Sequence, residues 1–515
     1  MRTLSILAVG LPAAACVSEH GPLTNRMSQA ATPYLARAAR QPVSWQAWGR
    51  EAFALAARLD RAVLLYVGAD DCRWCAVMDR EVYGDPALGA LIDSLFVPVR
   101  VDRDERPDVA ERYEAAVHSL VGLRGYPVTV FLTPDGSAFF GGTYFPADDP
   151  VTGRGLKQIL PDVAEGYRER RAFILRHAAL VRQLALTRGA PVRGVLRPSE
   201  IESEVAAVRS ALRAIAEARR ALGSFAHTQA VGLLLATYGR TGDSSYLDVA
   251  RRVLDFLVDS GGAAVTDPGS DDPPPLVRAG LLRSVAVGWA LTGEPRYRDA
   301  ARALLSLLAR DVRRDDRRAV YADREAYLIG SIVDAAAAVV DSAAAARALG
   351  ALDALLHRTY ARGRGVRHTA GGVSGLLQDQ VQVAGACLAA YGYTGARRYL
   401  AVAQDVAATL DRDFADSAGG GYFDVVAADP PDHPGPPGPP APALADRAKP
   451  VLDDLLPGAN AWAARVLLQL GEATGDARYR RRAEATLEAF AGTVAGEGVR
   501  ASSYLATAQY VLAPH

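Results

Sequence analysis

The sequence Cys72-Arg73-Trp74-Cys75 constrains the fold of this chain more than any other feature, because it lies between two contrasting patterns. Residues 62–67 are apolar and β-branched, which is typical of a buried strand. The pattern after the first cysteine predicts a helix. A thiol at a helix N-terminus is close to the positive end of the helix dipole, which favours the thiolate that attacks disulfides. We therefore predict a redox pair in which Cys72 attacks and Cys75, one helical turn further on, resolves the mixed disulfide.

Charged and aromatic neighbours are expected to adjust this pair. Arg73 should lower the pKa of Cys72, since an adjacent cation favours the thiolate. Asp70 and Asp71 should oppose that effect, and the sequence leaves the net sign open. Trp74 is expected to shield the pair and to offer an apolar contact to a substrate.

A C-x-x-C pair is also compatible with half of a zinc site or with an inert structural pair. A zinc site would need two more ligands, and the remaining cysteines, Cys16 and Cys387, form no second pair near a histidine. We therefore expect neither a metal nor another cofactor. Cys387 lies in an alanine-rich segment and is expected to be a buried core thiol.

The segments that follow the cysteines provide the remaining parts of a thioredoxin-like domain in order. Residues 96–101 are typical of a second core strand, and residues 102–113 begin a helix with a proline in its first turn. Tyr126-Pro127 then precedes an apolar strand at 128–132, and a proline is tolerated in a central strand only at its first position. In thioredoxin-like folds this proline is cis and faces the cysteines. We expect Pro127 to position a substrate backbone and Tyr126 to contact the substrate.

Five ordered motifs between Asn25 and Arg171 resemble the N-terminal domain of the spermatogenesis-associated protein 20 family. They are residues 42–49, 72–75, 101–108, 131–134 and 139–146. The resemblance implies a thioredoxin-like domain followed by a helical domain. The family usually carries a histidine after each cysteine, whereas this chain has Arg73 and Ala76 there. Proton transfer or metal binding by those histidines is therefore not expected here.

The N-terminus is typical of an exported protein. Arg2 precedes an apolar stretch that ends in small residues before Cys16, as in a secretory signal peptide or a bacterial lipoprotein leader. We predict that residues 1–26 form a leader and tether, that Cys16 is the lipidation site, and that the protein is periplasmic or lipid-anchored in the bacterial envelope. The alternative is a cytoplasmic protein that starts at Met27.

The composition excludes several classes of function. The 515 residues carry 58 basic and 58 acidic side chains, so the formal net charge is zero and nothing suggests nucleic-acid binding. Half of the residues are hydrophobic, yet no apolar run approaches the length of a membrane span. We expect contact with a membrane only through the possible lipid anchor.

From about residue 200 onwards the chain repeats one helical pattern. A Thr-Gly pair ends an Ala/Leu-rich segment, and a tyrosine follows a few residues later in the next helix, at Thr241–Tyr246, Thr292–Tyr297, Thr394–Tyr399 and Thr474–Tyr479. The spacing predicts repeated αα-hairpins, with a helix around residues 331–355 as the degenerate copy. We predict a thioredoxin-like domain at 27–188, a linker at 189–199 and an (α/α)6 toroid at 200–515.

The helical part resembles six-hairpin glycosidases and N-acylglucosamine 2-epimerases. Several polar loop segments of the family pattern are eroded in this chain, and no spacing establishes the pair of carboxylates that glycoside hydrolysis needs. Asp379 and Asp453 are candidates for an inward-facing carboxylate, and each is equally compatible with a role at a helix N-terminus.

We therefore predict a thiol–disulfide oxidoreductase whose toroid binds clients or is catalytically eroded. Its partners would be protein thiols and disulfides, with a carbohydrate ligand in the toroid as a further option. The alternative is a sugar epimerase, isomerase or glycoside hydrolase-like toroid with a structural thioredoxin domain.

Overall fold

The computed structural model describes residues 23–149, 151–218, 225–259, 275–311, 320–427 and 442–513. The predicted lipidation site Cys16 and most of the predicted leader lie outside the described residues. Within those ranges, no helix has both the length and the apolar character that crossing a bilayer requires.

The N-terminal domain is a five-stranded mixed sheet with the strand order β1-β3-β2-β4-β5. The strands are β1 Gln46–Ala47, β2 Val63–Gly68, β3 Val97–Asp102, β4 Val128–Leu132 and β5 Ala138–Gly142. Strands β1, β3 and β2 are parallel, whereas β4 is antiparallel to both β2 and β5. A central strand that is buried on both faces has a continuous apolar sequence, as β2 does.

Helices cover both faces of the sheet, and a separate apolar core lies on each face. The helices of this domain are α1 Pro33–Arg37, α2 Arg50–Leu59, α3 Arg73–Glu81, α4 Pro86–Leu95, α5 Pro107–Val121, α6 Leu156–Glu169 and α7 Arg171–Arg188. This arrangement confirms the predicted thioredoxin-like fold.

A buried arginine holds α3, the helix that follows the first cysteine, against the sheet. Arg100 on β3 is 2% exposed and donates two hydrogen bonds to the carboxylate of Asp79 on α3, at 2.7 and 2.8 Å. Its guanidinium also lies 4.6 Å from the ring centroid of Tyr34 and 4.9 Å from that of Tyr66. A bidentate pair surrounded by aromatic rings fixes geometry as well as charge. The orientation of α3 is therefore set by a contact that the sequence analysis did not identify.

From Pro198 onwards the described residues contain twelve α-helices. They are α8 Pro198–Glu217, α9 Phe225–Thr241, α10 Ser244–Asp259, α11 Pro275–Thr292, α12 Pro295–Asp311, α13 Ala322–Val339, α14 Ser342–Thr359, α15 Leu377–Thr394, α16 Arg397–Thr409, α17 Ala459–Thr474, α18 Ala477–Glu488 and α19 Ser502–Leu512. A two-stranded hairpin, β6 Tyr360–Ala361 and β7 Gly365–Val366, follows α14. Short 3₁₀ helices occupy Met27–Gln29, Ala38–Arg40, Pro442–Ala445 and Gly498–Ala501, and a π-helical turn occupies Leu410–Phe414.

Alternate helices form a closed inner ring. Each of α9, α11, α13, α15 and α17 packs against the next, and α19 packs against both α17 and α9. The remaining six helices pack outside this ring, each against the inner helix of its own hairpin or a neighbouring one. Five consecutive hairpins, together with the pair formed by α19 and α8, close into an (α/α)6 toroid, which confirms the predicted fold class.

The turns between paired helices explain the repeat that the sequence displays. Four hairpins turn at Gly242, Gly293, Gly395 and Gly475, all with φ between 68° and 73°, where glycine avoids the steric cost of a side chain. The expectation of one helix around residues 331–355 is wrong. That segment is the hairpin of α13 and α14, and its turn places Val340 at φ 58°. Without a glycine, the turn lacks the signature of the other four, although Asp341 caps the start of α14.

We expect replacement of Val340 by glycine to stabilise the toroid by about 0.5–1 kcal/mol. A left-handed conformation costs an L-residue roughly 1–2 kcal/mol, and the greater entropy loss of glycine offsets only part of this gain. Val340 is 87% exposed, so little packing is lost. Chemical denaturation of the full-length protein measures the change. The matched control is V287G inside α11, which should destabilise; a loss of stability in V340G as well would contradict the prediction.

Candidate redox site

The two cysteines form a disulfide at the start of α3. Cys72 is the N-cap residue of this helix, and its Sγ accepts a hydrogen bond from the backbone N–H of Cys75 at 3.1 Å. Cys75 is fully buried, whereas Cys72 is only partly buried. The first sulfur is therefore the one that a second molecule can reach, and it has the helix N-terminus that stabilises a thiolate.

Pro127 stands beside this turn. The Tyr126–Pro127 peptide bond is cis, as predicted. Val128 on β4 pairs with Val67 on β2, and β2 leads directly into the cysteine turn. This register places the proline next to the end of β2. The buried proline and the partly buried tyrosine thus border the segment that carries the cysteines.

The two aspartates that precede the cysteines are both paired with arginines. Asp70 forms a salt bridge with Arg37, and Asp71 forms one with Arg103 at 2.6 Å. These pairs partly neutralise the negative charge that was expected to oppose a thiolate at Cys72. Both aspartates are solvent-exposed, so the pairs contribute little to stability.

The residues between the cysteines present an aromatic surface. Trp74 is 52% exposed, and its ring centroid lies 4.9 Å from that of Tyr144. The guanidinium of Arg73 lies 6.0 Å from the centroid of Trp74. An exposed aromatic pair next to a reachable sulfur offers an apolar contact for a client peptide.

Arg103 connects the cysteine turn to the proline loop, and the sequence analysis missed it. Its backbone N–H donates to the carbonyl of Gly68 at 2.8 Å, and its side chain donates to Asp71 at 2.6 Å. The same guanidinium lies 5.2 Å from the ring centroid of Tyr126. Arg103 belongs to the motif at residues 101–108, so the motif marked its segment without indicating its role.

The loop after β3 is also held by the toroid, through a buried histidine. His368 is 0% exposed; its Nε2 lies 2.6 Å from the backbone carbonyl oxygen of Asp104, and its Nδ1 lies 2.7 Å from Oδ1 of Asp379. The ring of Tyr321 packs on the imidazole at 4.9 Å between centroids. Because both ring nitrogens face acceptors, both act as donors and the ring carries a positive charge.

The charges around His368 support this protonation state. Burial alone would lower the pKa of its imidazole, but the carboxylates of Asp379 and Asp323 outweigh burial and raise it to about 10. The Oδ1 atom of Asp379 also accepts a hydrogen bond from the backbone N–H of Asp323 at 3.1 Å. Asp379 therefore has a structural role at the start of its helix and in the contact between the toroid and the loop after β3.

A second set of contacts holds the same loop, residues 102–106. Arg324 on α13 donates to the carboxylate of Asp104 at 2.6 Å, and Tyr321 donates to Asp102 at 3.3 Å. Burial would raise the pKa of Asp104, but Arg324 and Arg103 lower it to about 2. The loop at residues 102–106 thus links the toroid to the turn that carries the cysteines. We refer to the contacts of His368 and Arg324 with this loop as the domain junction.

Asp323, His368 and Asp379 are close enough together to hold a metal ion. In this structure Nδ1 of His368 contacts the Asp379 carboxylate directly, and Nε2 contacts the carbonyl of Asp104.

The structure also shows the surroundings of Asp453 and Cys387, two further residues that the sequence analysis named. Asp453 accepts hydrogen bonds from the backbone N–H groups of Gly458 at 3.0 Å and Ser503 at 2.9 Å, so its carboxylate joins the start of α17 to that of α19. Cys387 is a buried free thiol, as predicted, and burial raises its pKa well above the usual range.

The sheet topology, the cysteine pair at a helix start and the cis-proline define a thioredoxin-like domain joined to an (α/α)6 toroid. Residues 24–185 match the family model Thioredox_DsbH, described as a protein of unknown function, DUF255. Human spermatogenesis-associated protein 20 is 37% identical over 164 residues, which cover 32% of this chain and 21% of that protein. An uncharacterized Caenorhabditis elegans protein is 43% identical over 136 residues, which cover 26% of this chain and 19% of that protein.

The predicted resemblance to the spermatogenesis-associated protein 20 family is therefore confirmed for the thioredoxin-like domain. The match spans about a fifth of the length of these curated relatives. Among solved structures, an unsaturated glucuronyl hydrolase from Bacillus sp. GL1 is 13% identical with a TM-score of 0.45, covering 60% of this chain and 95% of that chain. A sugar epimerase from a ruminal bacterium is 11% identical with a TM-score of 0.40, covering 52% of this chain and 74% of that chain.

Proposed function

We propose that the protein exchanges thiols and disulfides with protein clients through Cys72 and Cys75. The observation that carries this proposal is the asymmetry of the pair. Cys72 is partly exposed and caps a helix, Cys75 is buried one turn further on, and Pro127 lies next to the end of the strand that leads into the cysteine turn. An inert structural disulfide does not require this combination of features.

The exchange balances in two steps. The Cys72 thiolate attacks one sulfur of a client disulfide, which forms a mixed disulfide and releases the other client sulfur as a thiolate. The Cys75 thiolate then attacks the Cys72 sulfur, which closes the Cys72–Cys75 disulfide and releases the second client thiolate. The client has gained two electrons and the pair has lost them. The reverse sequence oxidises a dithiol client.

Protein clients fit the surroundings of the pair. Trp74 and Tyr144 offer an exposed aromatic contact, and Pro127 borders the cysteine turn, where an extended client backbone could pair. Export, if the leader acts as predicted, would place the protein where client disulfides are common.

A sugar-transforming toroid has less support. Asp379 is committed to the domain junction, and Asp453 is committed to two backbone N–H groups. In the pocket between α11, α13, α15 and α17, Asp334 is the one carboxylate among the described lining residues. Hydrolysis of a glycoside needs two carboxylates across the sugar.

A redox titration tests the proposal. Full-length protein is equilibrated in glutathione buffers of known potential, free thiols are alkylated, and the state of the Cys72–Cys75 pair is read by mass spectrometry. We expect one two-electron transition within the range of dithiol proteins, roughly −120 to −270 mV, together with catalysed reduction of insulin by dithiothreitol. C387A should behave like wild type. A pair that stays oxidised across the series, or one that leaves insulin reduction at its uncatalysed rate, would refute the proposal.

A further inference from the structure

We propose that a pocket between inner helices of the toroid binds a small oxyanion, such as a phosphate or a carboxylate, against Arg283, Arg465, Gln382 and Trp462. This site is separate from the redox pair and is independent of the proposed exchange reaction. It lies between the inner helices α11, α13, α15 and α17.

The cavity carries more positive than negative charge. Arg283 pairs with Asp334 at 3.0 Å. Arg465 also lines the cavity, and within the described part of the chain no carboxylate lies within ion-pair distance of it; its guanidinium instead lies 5.1 Å from the ring centroid of Trp462. Two guanidinium groups therefore face one carboxylate. Burial, and then the charge of Arg283, lower the pKa of Arg465 to about 10, and a bound anion would relieve both effects.

Hydrogen-bonding groups in the same cavity lack partners within the described structure. Gln382 is 1% exposed, and neither its side-chain nitrogen nor its oxygen has a hydrogen-bond partner; the indole N–H of Trp462 is unpartnered as well. Leaving such a group buried and unpaired costs about 1–3 kcal/mol. The amide N–H₂, the indole N–H and the Arg465 guanidinium together form a set of donors that matches the oxygens of an oxyanion.

The shape of the cavity favours a small ligand. Its volume is about 20 Å³, and Asp334, whose side chain is 45% exposed, marks its open end. A Cβ atom at Gly385 would lie 2.7 Å from the Trp462 indole nitrogen, so the glycine leaves room for that donor. A space of this size holds about one water-sized group, so one oxygen of the anion, rather than a whole sugar ring, would enter it. Excess positive charge favours an anion over a neutral water molecule.

Calorimetric titration of the full-length protein at low ionic strength tests the site. Sodium phosphate and sodium acetate are the probes, and glucose is the neutral control. We expect at least one of the two anions to bind and glucose not to bind. R465M should weaken anion binding at least tenfold, and R465K, which keeps the charge but not the planar fork, should weaken it less. R168M removes an exposed arginine on α6 and should leave binding unchanged.

The unfolding temperature without ligand shows whether R465M loses anion binding through a folding defect or through loss of the guanidinium. Arg465 has no ion-pair partner among the described residues and burial disfavours its charge, so an apolar side chain of similar volume is expected to change stability little. The unfolding temperature of R465M without ligand should therefore equal that of wild type. The increase in unfolding temperature that the anion produces in wild type should be absent in R465M. Equal stabilisation of wild type and R465M by the anion, absence of binding by both anions, or binding of glucose in their place would each overturn the proposal.

Discussion

Cys75→Ser protein should accumulate covalent complexes with its clients, whereas wild-type protein should not. In this variant Cys72 still attacks a client disulfide, but no thiol remains to release the mixed disulfide. The burial of Cys75 and the partial exposure of Cys72 set this order of events. Non-reducing gels of reduced protein incubated with a disulfide-bonded substrate such as insulin, followed by mass spectrometry, detect the complexes. The expected effect is nearly complete, because the second step is abolished rather than slowed.

The reciprocal variant is the matched control. Cys72→Ser should trap little or no client, because the remaining thiol of Cys75, the third residue of the helix, is 0% exposed. The double variant should trap none. Equal trapping by the two single variants, or none by either, would exclude the assigned roles and leave the pair as a structural disulfide. The sugar-enzyme alternative would then gain support.

Replacing His368 by alanine should cost about 3–5 kcal/mol of unfolding free energy. Removal of one partner from a buried ion pair leaves the other charge uncompensated; here the remaining groups are the Asp379 carboxylate and the Asp104 carbonyl. Calorimetric unfolding of the full-length protein measures the loss. H118A removes an exposed histidine on α5 and should change stability by less than about 0.5 kcal/mol. A cost in H368A no larger than in H118A would contradict the assigned junction.

The raised pKa of His368 also predicts how the stability of the protein depends on pH. Its pKa is about 10 in the folded protein, against an ordinary value of 6.5. A raised pKa contributes stability that is fully present below pH 6.5 and is lost as the pH rises through 10. Wild-type protein should therefore lose stability between pH 7 and pH 10. His368→Gln can keep one hydrogen bond but carries no charge, so this part of the decline should be absent. An unchanged decline in that variant would show that other groups cause it.

What the sequence predicted well is local in the chain. The start of α3 at the cysteines follows from an apolar strand, a turn and a helical pattern that are contiguous, and Pro127 is recognisable because it stands at the head of an apolar strand. Four of the toroid hairpins carry glycine turns, whose positive φ leaves a signature in the residue type. These features need only neighbouring residues, which is why a pattern can reveal them.

What the sequence did not predict depends on pairs that are distant in the chain. Arg100 and Asp79 have no spacing that marks them as partners, and the junction brings Asp104 together with His368 across 264 positions. The turn at Val340 failed as a prediction for a different reason: the surrounding toroid imposes its conformation on a residue that does not favour it. Tertiary packing, rather than local preference, decides all three.

Closure of the ring also sets the order of events during synthesis. Because α19 packs against α9, the inner helix α9 cannot acquire both of its ring neighbours until the ribosome has made α19. Domains generally fold as units, beginning at the N-terminus of the nascent chain. The cysteine pair is therefore assembled while the toroid is still an open array of hairpins. A nascent chain halted before α19 would carry a complete thioredoxin-like domain beside an apolar surface that α19 covers in the full chain.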